Sequence, residues 1–304
     1  MYRKALSLAL AALLFISVAA AQPTTEITVV DKTGRVEKLI YGAEQTGSLL
    51  ERINRLEKDV YGSESKEALI AKADKLYSYA WDNSAGSPSL ITRLNATEWI
   101  LTHSQTGESV KVRLESLEKL LTGSPTAGPI DGRLTKLGKM AFASSQPDVE
   151  TAEIAKDTLV KIKLTTPLDS RTSRVGDLVA YQASEDVYVN GLLVIAKGAL
   201  GSGKITKLER AQNFGRDAQL EIDFENIKAI DGTTLATFLG EKAKEETRSM
   251  ATAAGATMVG LVVLGPVGIV TGAFVHGKEL TVPAGAEMFI QTKEMTPVFG
   301  IKTK

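Results

Sequence analysis

The chain has no cysteine in 304 residues. That excludes disulfide staples, thiol catalysis, cysteine-ligated metal and a lipid anchor carried on cysteine. Histidine is almost as scarce. His103 and His276 are the only two, and a histidine-ligated metal or a serine–histidine triad would need partners that no motif supplies. The acidic residues are many but form no recognisable pair, so the sequence points to no enzyme and no cofactor. Neither sign of charge is in excess, with 36 basic and 36 acidic residues. A basic stripe of the kind that nucleic acid requires is missing, so nucleic acid is not an expected partner.

One stretch lacks charge altogether. Residues 249–275, SMATAAGATMVGLVVLGPVGIVTGAFV, run 27 positions without a single ionisable side chain. Gly255, Gly260, Gly265, Gly268 and Gly272 punctuate it, with Pro266 near its middle. Proline removes a backbone donor and clashes with the preceding helical turn. The run is therefore expected to form two short helices, over 251–264 and 267–275. At a rise of 1.5 Å per residue these reach about 21 and 14 Å, short of a hydrocarbon core of about 30 Å. As one kinked helix the run would reach about 40 Å and could cross. Gly268 and Gly272 make a small-xxx-small pair that lets backbones approach closely. Three readings stay open: a hairpin buried on its own domain, a self-association surface, or a membrane contact.

The N-terminus reads as an export signal. Arg3 and Lys4 precede an apolar run from Ala5 to Ala19, and Ala19-Ala20-Ala21 matches the pattern read by signal peptidase. Cleavage is expected before Gln22, leaving a lead over 22–32 and a small net negative charge on the rest. An exported chain without disulfides must be held by its core alone. The expected location is the periplasm or cell envelope, in possible association with the outer membrane.

From 33 to 143 a unit of about 20 residues recurs six times. Its anchors are a basic residue followed by an apolar one, at Arg35, Arg55, Lys75, Arg93, Arg113 and Arg133, with steps of 20, 20, 18, 20 and 20. In SLLERINRLEKDVYG (48–62), Leu49, Leu50, Ile53, Leu56 and Val60 recur at helical spacing. Ser48 stands at an N-cap position and Gly62 at a C-terminal cap. Each unit therefore predicts a short helix closed by a glycine turn. Such helices bury their apolar stripes only by stacking on one another, as in a repeat array or coiled coil. The anchor cations read as solvated side chains at the core edge, or else as a spacer or docking surface. The pattern resembles arginine-leucine-glutamate short-helix repeats of secreted bacterial proteins, a likeness that carries no activity.

AFASSQPDVETAEIAKD reads as polar, and a linker is expected over 144–157. From 158 to 304 the pattern turns to strands. Val160, Ile162 and Leu164 alternate with lysine and threonine. Asn190-Gly191 and Asp231-Gly232 mark hairpins. GALGSGKI (198–205) matches a phosphate loop up to Ile205, which stands where Ser or Thr should hold magnesium, and the residues after it alternate like a strand. VIAKGAL (194–200) and TVPAGAE (281–287) echo each other, each carrying a glycine into a new strand. With FGRDAQLEIDFENIKAIDGTTL (214–235) and the apolar run before a final strand, this order resembles the C-terminal β-barrel of TrbI-type channel proteins of conjugation and type IV secretion. In that family a helical insert between late strands projects towards the outer membrane. The resemblance implies that 249–275 is such an insert, here a glycine zipper. It departs from the family in its helical N-terminal half.

The fold expected is α+β, a short-helix repeat array followed by a β-barrel or sandwich with an apolar helical-hairpin insert. The function expected is that of a non-enzymatic, exported envelope or assembly protein. It would meet its own copies, an envelope partner or a membrane through Gly255, Gly260, Gly265, Pro266, Gly268 and Gly272. The alternative is a soluble periplasmic binding module, its barrel holding a small ligand and its apolar run serving as core.

Overall fold

The structure is a computed structural model. It describes residues 27–84, 86–142, 144, 146–211, 218–253, 262–263, 269–271 and 280–303. The expected signal peptide lies outside these residues, as do the six insert positions named above.

Six helices come first: α1 (Val29–Tyr41), α2 (Leu49–Tyr61), α3 (Leu69–Trp81), α4 (Leu90–Thr102), α5 (Val110–Thr122) and α6 (Ile130–Ala141). The local signals act as their chemistry dictates. Ser48 accepts from the Glu51 N–H while the Glu51 carboxylate accepts from the Ser48 N–H, and Gly62 closes α2 at φ 90°. All six helices feed one apolar core that includes Ile40, Ile53, Leu56, Leu76, Leu94, Leu114 and Leu134. The loop between α3 and α4 is one residue longer than the other four. That extra residue shifts the register of everything after it.

The strands follow: β1 (Val149–Ile154), β2 (Leu159–Leu164), β3 (Leu168–Asp169), β4 (Leu178–Ala183), β5 (Val187–Val189), β6 (Leu192–Ile195), β7 (Leu200–Glu209), β8 (Gln219–Lys228) and β9 (Thr234–Phe238). After α7 (Glu241–Ala253) come β10 (Val262–Val263), β11 (Ile269–Thr271), β12 (Thr281–Val282), β13 (Glu287–Thr292) and β14 (Thr296–Lys302). Strands β8-β7-β4-β2-β13-β9 form an antiparallel ring that closes through β8–β9 pairing. A second sheet, β1-β14-β6-β5, covers one flank. The linker expected over 144–157 thus contains β1, paired along its whole length with β14. Its alternation was hidden by acidic residues on the exposed face.

The barrel interior is filled by its own side chains. Val160, Ile162, Tyr181, Phe224, Met288 and Ile290 share one buried cluster. The Tyr181 hydroxyl donates to the Asn226 carbonyl at 2.9 Å, and its ring meets Phe224 edge-on at 5.5 Å. The phosphate-loop lookalike is the start of β7, and its glycines serve this packing. A Cβ on Gly201 would run into the Tyr181 ring, and one on Gly203 into the Asp223 carbonyl. The two echoed phrases are one turn used twice: Gly198 and Gly285 both stand at φ 87°, donating to the Ala183 and Leu164 carbonyls.

α4 joins the two halves. Every residue from Leu90 to Trp99 is buried. A helix covered all round must have a partner on each side. Leu90 and Leu94 belong to the helical core. Ala96 and Trp99 pack with Val149, Leu193, Ala196, Ile230 and Ile301 of the strand region. The Asn95 amide donates to the Ile230 carbonyl at 2.7 Å, and the Trp99 indole N–H to Asp186 at 3.0 Å.

The apolar insert meets expectation at 251–253, which are helical, and departs from it at the other described positions. Residues 249–253 end α7, a charged helix that the sequence reading did not separate from the strands. Residues 262–263 and 269–271 are strands, not helices, and β11 pairs with the start of β8 through Ile269–Glu221 and Thr271–Gln219. β-Branched residues at these positions favour extended backbone. No helix among the described residues is long and apolar enough to cross a membrane.

Candidate functional site

Two groups of residues were singled out by sequence, and the structure treats them differently. Arg35, Arg55 and Lys75 are exposed. Arg93, Arg113 and Arg133 are buried. The reason is register. The first three are the seventh residue of their helices and the last three the fourth. The step of 18 between Lys75 and Arg93 mixes these two positions, whereas helix starts step by 20, 20, 21, 20 and 20. The true series is Lys32, Arg52, Lys72, Arg93, Arg113 and Arg133.

Four of these six make the same interaction. Each meets a glutamate at the ninth position of the preceding helix: Arg52–Glu37 at 2.5 Å, Lys72–Glu57 at 2.8 Å, Arg113–Glu98 at 2.5 Å and Arg133–Glu118 at 2.8 Å. Each glutamate also accepts a backbone N–H from the loop eight residues on, at Gln45, Ser65, Thr106 and Thr126. One carboxylate thus ties its own helix, the following loop and the next helix. Burial raises the Glu118 pKa, but the Arg133 guanidinium and the Thr126 hydroxyl and N–H outweigh it and hold the group at about 2. Glu57 is lowered in the same way, with Lys72 and Ser65 overcoming burial. The solvated-edge reading of the arginines is therefore wrong for the second half of the array.

The two remaining cations mark the breaks. Lys32 has no preceding helix among the described residues and reaches Asp74 of α3 at 2.7 Å. Arg93 finds Tyr77 where glutamate should stand, and turns instead to Asp131 and Thr135 of α6, each at 2.8 Å. Burial raises the Asp131 pKa, while Arg93 and the Tyr79 hydroxyl bring it below its usual range. The signal for Lys32, Arg52 and Lys72 was present as a cation followed five residues later by glutamate or its tyrosine substitute. It was masked by a second cation three residues on.

The other group lies around the insert. β7 and β8 are ten residues each and outrun the ring. β9 pairs with the far end of β8, at 226–228, and β11 with its near end, at 219–221. The apolar segment therefore joins the sheet beyond the point where the ring closes. β9 meets β13 only at Gln291 and Thr292, and α7 lies beside the rest of β13. There the Gln291 side chain accepts from the Ala243 N–H at 3.0 Å, and the Phe289 N–H donates to the Thr247 hydroxyl at 2.9 Å.

His103 caps α4 at φ 52° and is exposed, its ring edge-on to Trp99 at 5.5 Å. His276 is outside the described residues. Among the described residues no group of three or more acidic or histidine side chains is placed to hold a metal. Two cavities sit where helices meet strands, of about 390 Å³ beside Trp81, Thr151 and Phe299 and about 190 Å³ beside Leu39, Gln105 and Lys228.

No family model matches the chain, and a search of curated proteins gives no match. Among solved structures, the chain is similar to ComB10 of the Com type IV secretion system of Helicobacter pylori. The identity is 16%, over 48% of this chain and 89% of that one, with a TM-score of 0.26.

Proposed function

We propose that the protein is a non-enzymatic, exported component of the cell envelope. In this reading its apolar insert makes the working contact, with further copies of the chain, with an envelope partner or with a membrane. The observation that supports it is the completeness of the barrel. The ring closes on itself, and its interior is packed with Tyr181, Phe224, Met288 and their neighbours. The insert joins the edge of β8 outside that ring. Among the described residues the barrel interior is taken up by its own side chains, which weighs against the binding-module alternative. An uncharged run of 27 residues attached beyond a finished core is a candidate contact surface.

The test replaces residues 254–279 by a short Gly/Ser linker in the full chain. Sedimentation and membrane partition should both drop to those of a soluble monomer, with the melting temperature little changed. Gly268→Leu should act in the same direction, more strongly than Ala273→Leu, if a close helix or backbone contact is made there. A linker variant that unfolds, or a parent chain already monomeric and membrane-free, returns the insert to the role of core.

A further inference from the structure

One end of the barrel carries apolar surface that its core does not use. Leu178 is 78% exposed, the highest value for a large apolar side chain among the described residues, and Val175 is 61% exposed. Val175 lies in the turn between β3 and β4, and Leu178 is the first residue of β4. Val179, Tyr181 and Ala183 of that strand enter the core, while Leu178 faces away from it. The turn is fixed on both sides. The Gly176 N–H donates to the Ile205 carbonyl at 2.8 Å, and the Ile205 N–H to the Asp177 carbonyl at 3.0 Å. On the other side, the Ser170 N–H donates to the Leu280 carbonyl at 2.9 Å, and the Leu280 N–H to the Ser170 hydroxyl at 3.0 Å. A backbone held in this way keeps both apolar side chains in water.

The place of the turn gives that exposure a use. Leu178 pairs with Lys204, and β7 runs on from there beside β8 to Glu209. β11 of the insert joins β8 along this overhang. Leu280 is the first described residue after the insert. The turn therefore stands at the end of the barrel where the insert leaves and returns. Arg174 in the turn and Arg210 just past β7 are exposed, and neither guanidinium makes an ion pair among the described residues. The neighbouring anions are engaged. Asp169 meets Arg171 at 2.6 Å, Glu209 meets Lys207 at 3.0 Å, and the Asp177 carboxylate accepts from the Arg174 N–H at 2.8 Å.

Two apolar side chains are too little for a stable protein interface, which buries about 1,200–2,000 Å². A lipid surface asks for less. Apolar side chains enter the headgroup boundary, and cations beside them meet phosphate. We infer that the turn over 170–178 is a shallow phospholipid contact, with Val175 and Leu178 in the headgroup boundary and Arg174 and Arg210 on lipid phosphates. This rests on the envelope reading and names the surface met at the insert end.

The experiment is co-sedimentation of the full chain with vesicles of phosphatidylglycerol and phosphatidylethanolamine in equal parts, and with vesicles of phosphatidylcholine alone. The double variant Val175→Ser, Leu178→Ser should bind the anionic vesicles at least about tenfold more weakly than the parent, with an unchanged melting temperature. Arg174→Gln should cost about fivefold on the anionic vesicles and less on phosphatidylcholine. Met295→Ser is the control. Met295 is 63% exposed between β13 and β14, at the other end of the barrel, and its loss should leave binding as it was. Parent-like binding by the serine pair overturns the inference, as does an equal loss from Met295→Ser. So does a serine pair that reduces self-association without vesicles yet leaves vesicle binding intact, which would assign the turn to a protein contact. If replacing the insert by a linker abolishes vesicle binding or assembly while the serine pair changes neither, this inference fails and the envelope role stands. A parent chain that meets neither vesicles nor its own copies overturns both.

Discussion

The helical array and the barrel solve the same problem with opposite means. Neither has disulfides, and each must specify one arrangement of short elements. The array places a charged pair inside four of its five junctions: Arg133 and Glu118 are 8% and 3% exposed, yet meet at 2.8 Å. The barrel places aromatic and aliphatic bulk at its centre, with Tyr181 seated over Gly201. The difference follows from geometry. Helices of 12 or 13 residues on apolar stripes could slide or rotate against one another. A carboxylate that must satisfy a loop N–H and a guanidinium together permits one register. Barrel strands are already fixed in register by their ladders, so their interior needs no charged pair.

The largest expected effect strikes the array. Arg113→Ala leaves Glu98 buried with only the Thr106 groups as partners, and breaking a buried pair costs about 3–5 kcal/mol. Leu114→Ala, beside it in the helical core, should cost about 2–5 kcal/mol. Denaturant unfolding should therefore rank the arginine at least level with the leucine. An arginine variant within about 0.5 kcal/mol of the parent would show that the pair is a passenger and the comparison false.

The barrel has its own vulnerable point. Gly201→Ala forces a methyl into the Tyr181 ring, and overpacking of this kind costs about 1–3 kcal/mol. Tyr181→Leu alone empties part of the core. Combined with Gly201→Ala it should recover part of the loss, a coupling that melting of the double variant reads directly.

Acid should separate the two halves. Glu118, Glu57 and Asp131 all have folded pKa values below their ordinary ones. A depressed carboxylate contributes stability that is complete above its unfolded pKa, about 4.3 for glutamate, and is lost as pH falls through the folded value. The array should weaken between about pH 4.5 and the Glu118 value of about 2. In the strand region the lowered carboxylate Asp169 sits on the surface with Arg171, so it contributes little. Circular dichroism from pH 6 to 2 should show helix signal falling before strand signal. Simultaneous loss would mean that α4, buried between the halves, couples them into one unit.

What the sequence disclosed follows the same division. Strand positions were readable because period-two alternation is short-range: Val160, Ile162 and Leu164 are buried as expected, and Asn190-Gly191 forms its turn with both residues at positive φ. Helix ends were readable from Ser48 and Gly62. β1 was missed because its buried positions are only Val149, Ala152 and Ile154, set among the exposed Glu150, Thr151 and Glu153. The insert was read as helix because hydrophobicity without period does not distinguish helix from strand. The smaller of the two cavities was invisible, since Leu39, Gln105 and Lys228 meet only through tertiary packing. The array's pairs were half visible. Cation and glutamate both appear in every clear copy, but their partnership runs fifteen residues, from one helix into the next.

That half-visibility sets up the smallest and most discriminating effect. Arg52 and Arg55 lie three residues apart on α2, nearly on one face of the helix. Arg52 reaches Glu37 at 2.5 Å, with a side chain 12% exposed, and the Glu37 hydrogen bond, opposed by burial, raises its pKa. Arg55 is exposed. Arg52→Ala should destabilise by roughly 2–4 kcal/mol, because it strands Glu37. Arg55→Ala and Lys75→Ala should stay within about 0.5 kcal/mol of the parent, as solvated surface cations do. The two alanine variants on α2 share helix propensity, charge change and neighbourhood, so those terms cancel between them. What is left is the difference between the fourth and the seventh helical position. Equal losses would mean that the junctions are not specified by the buried pair, and that the period of 20 arises from the apolar stripes alone.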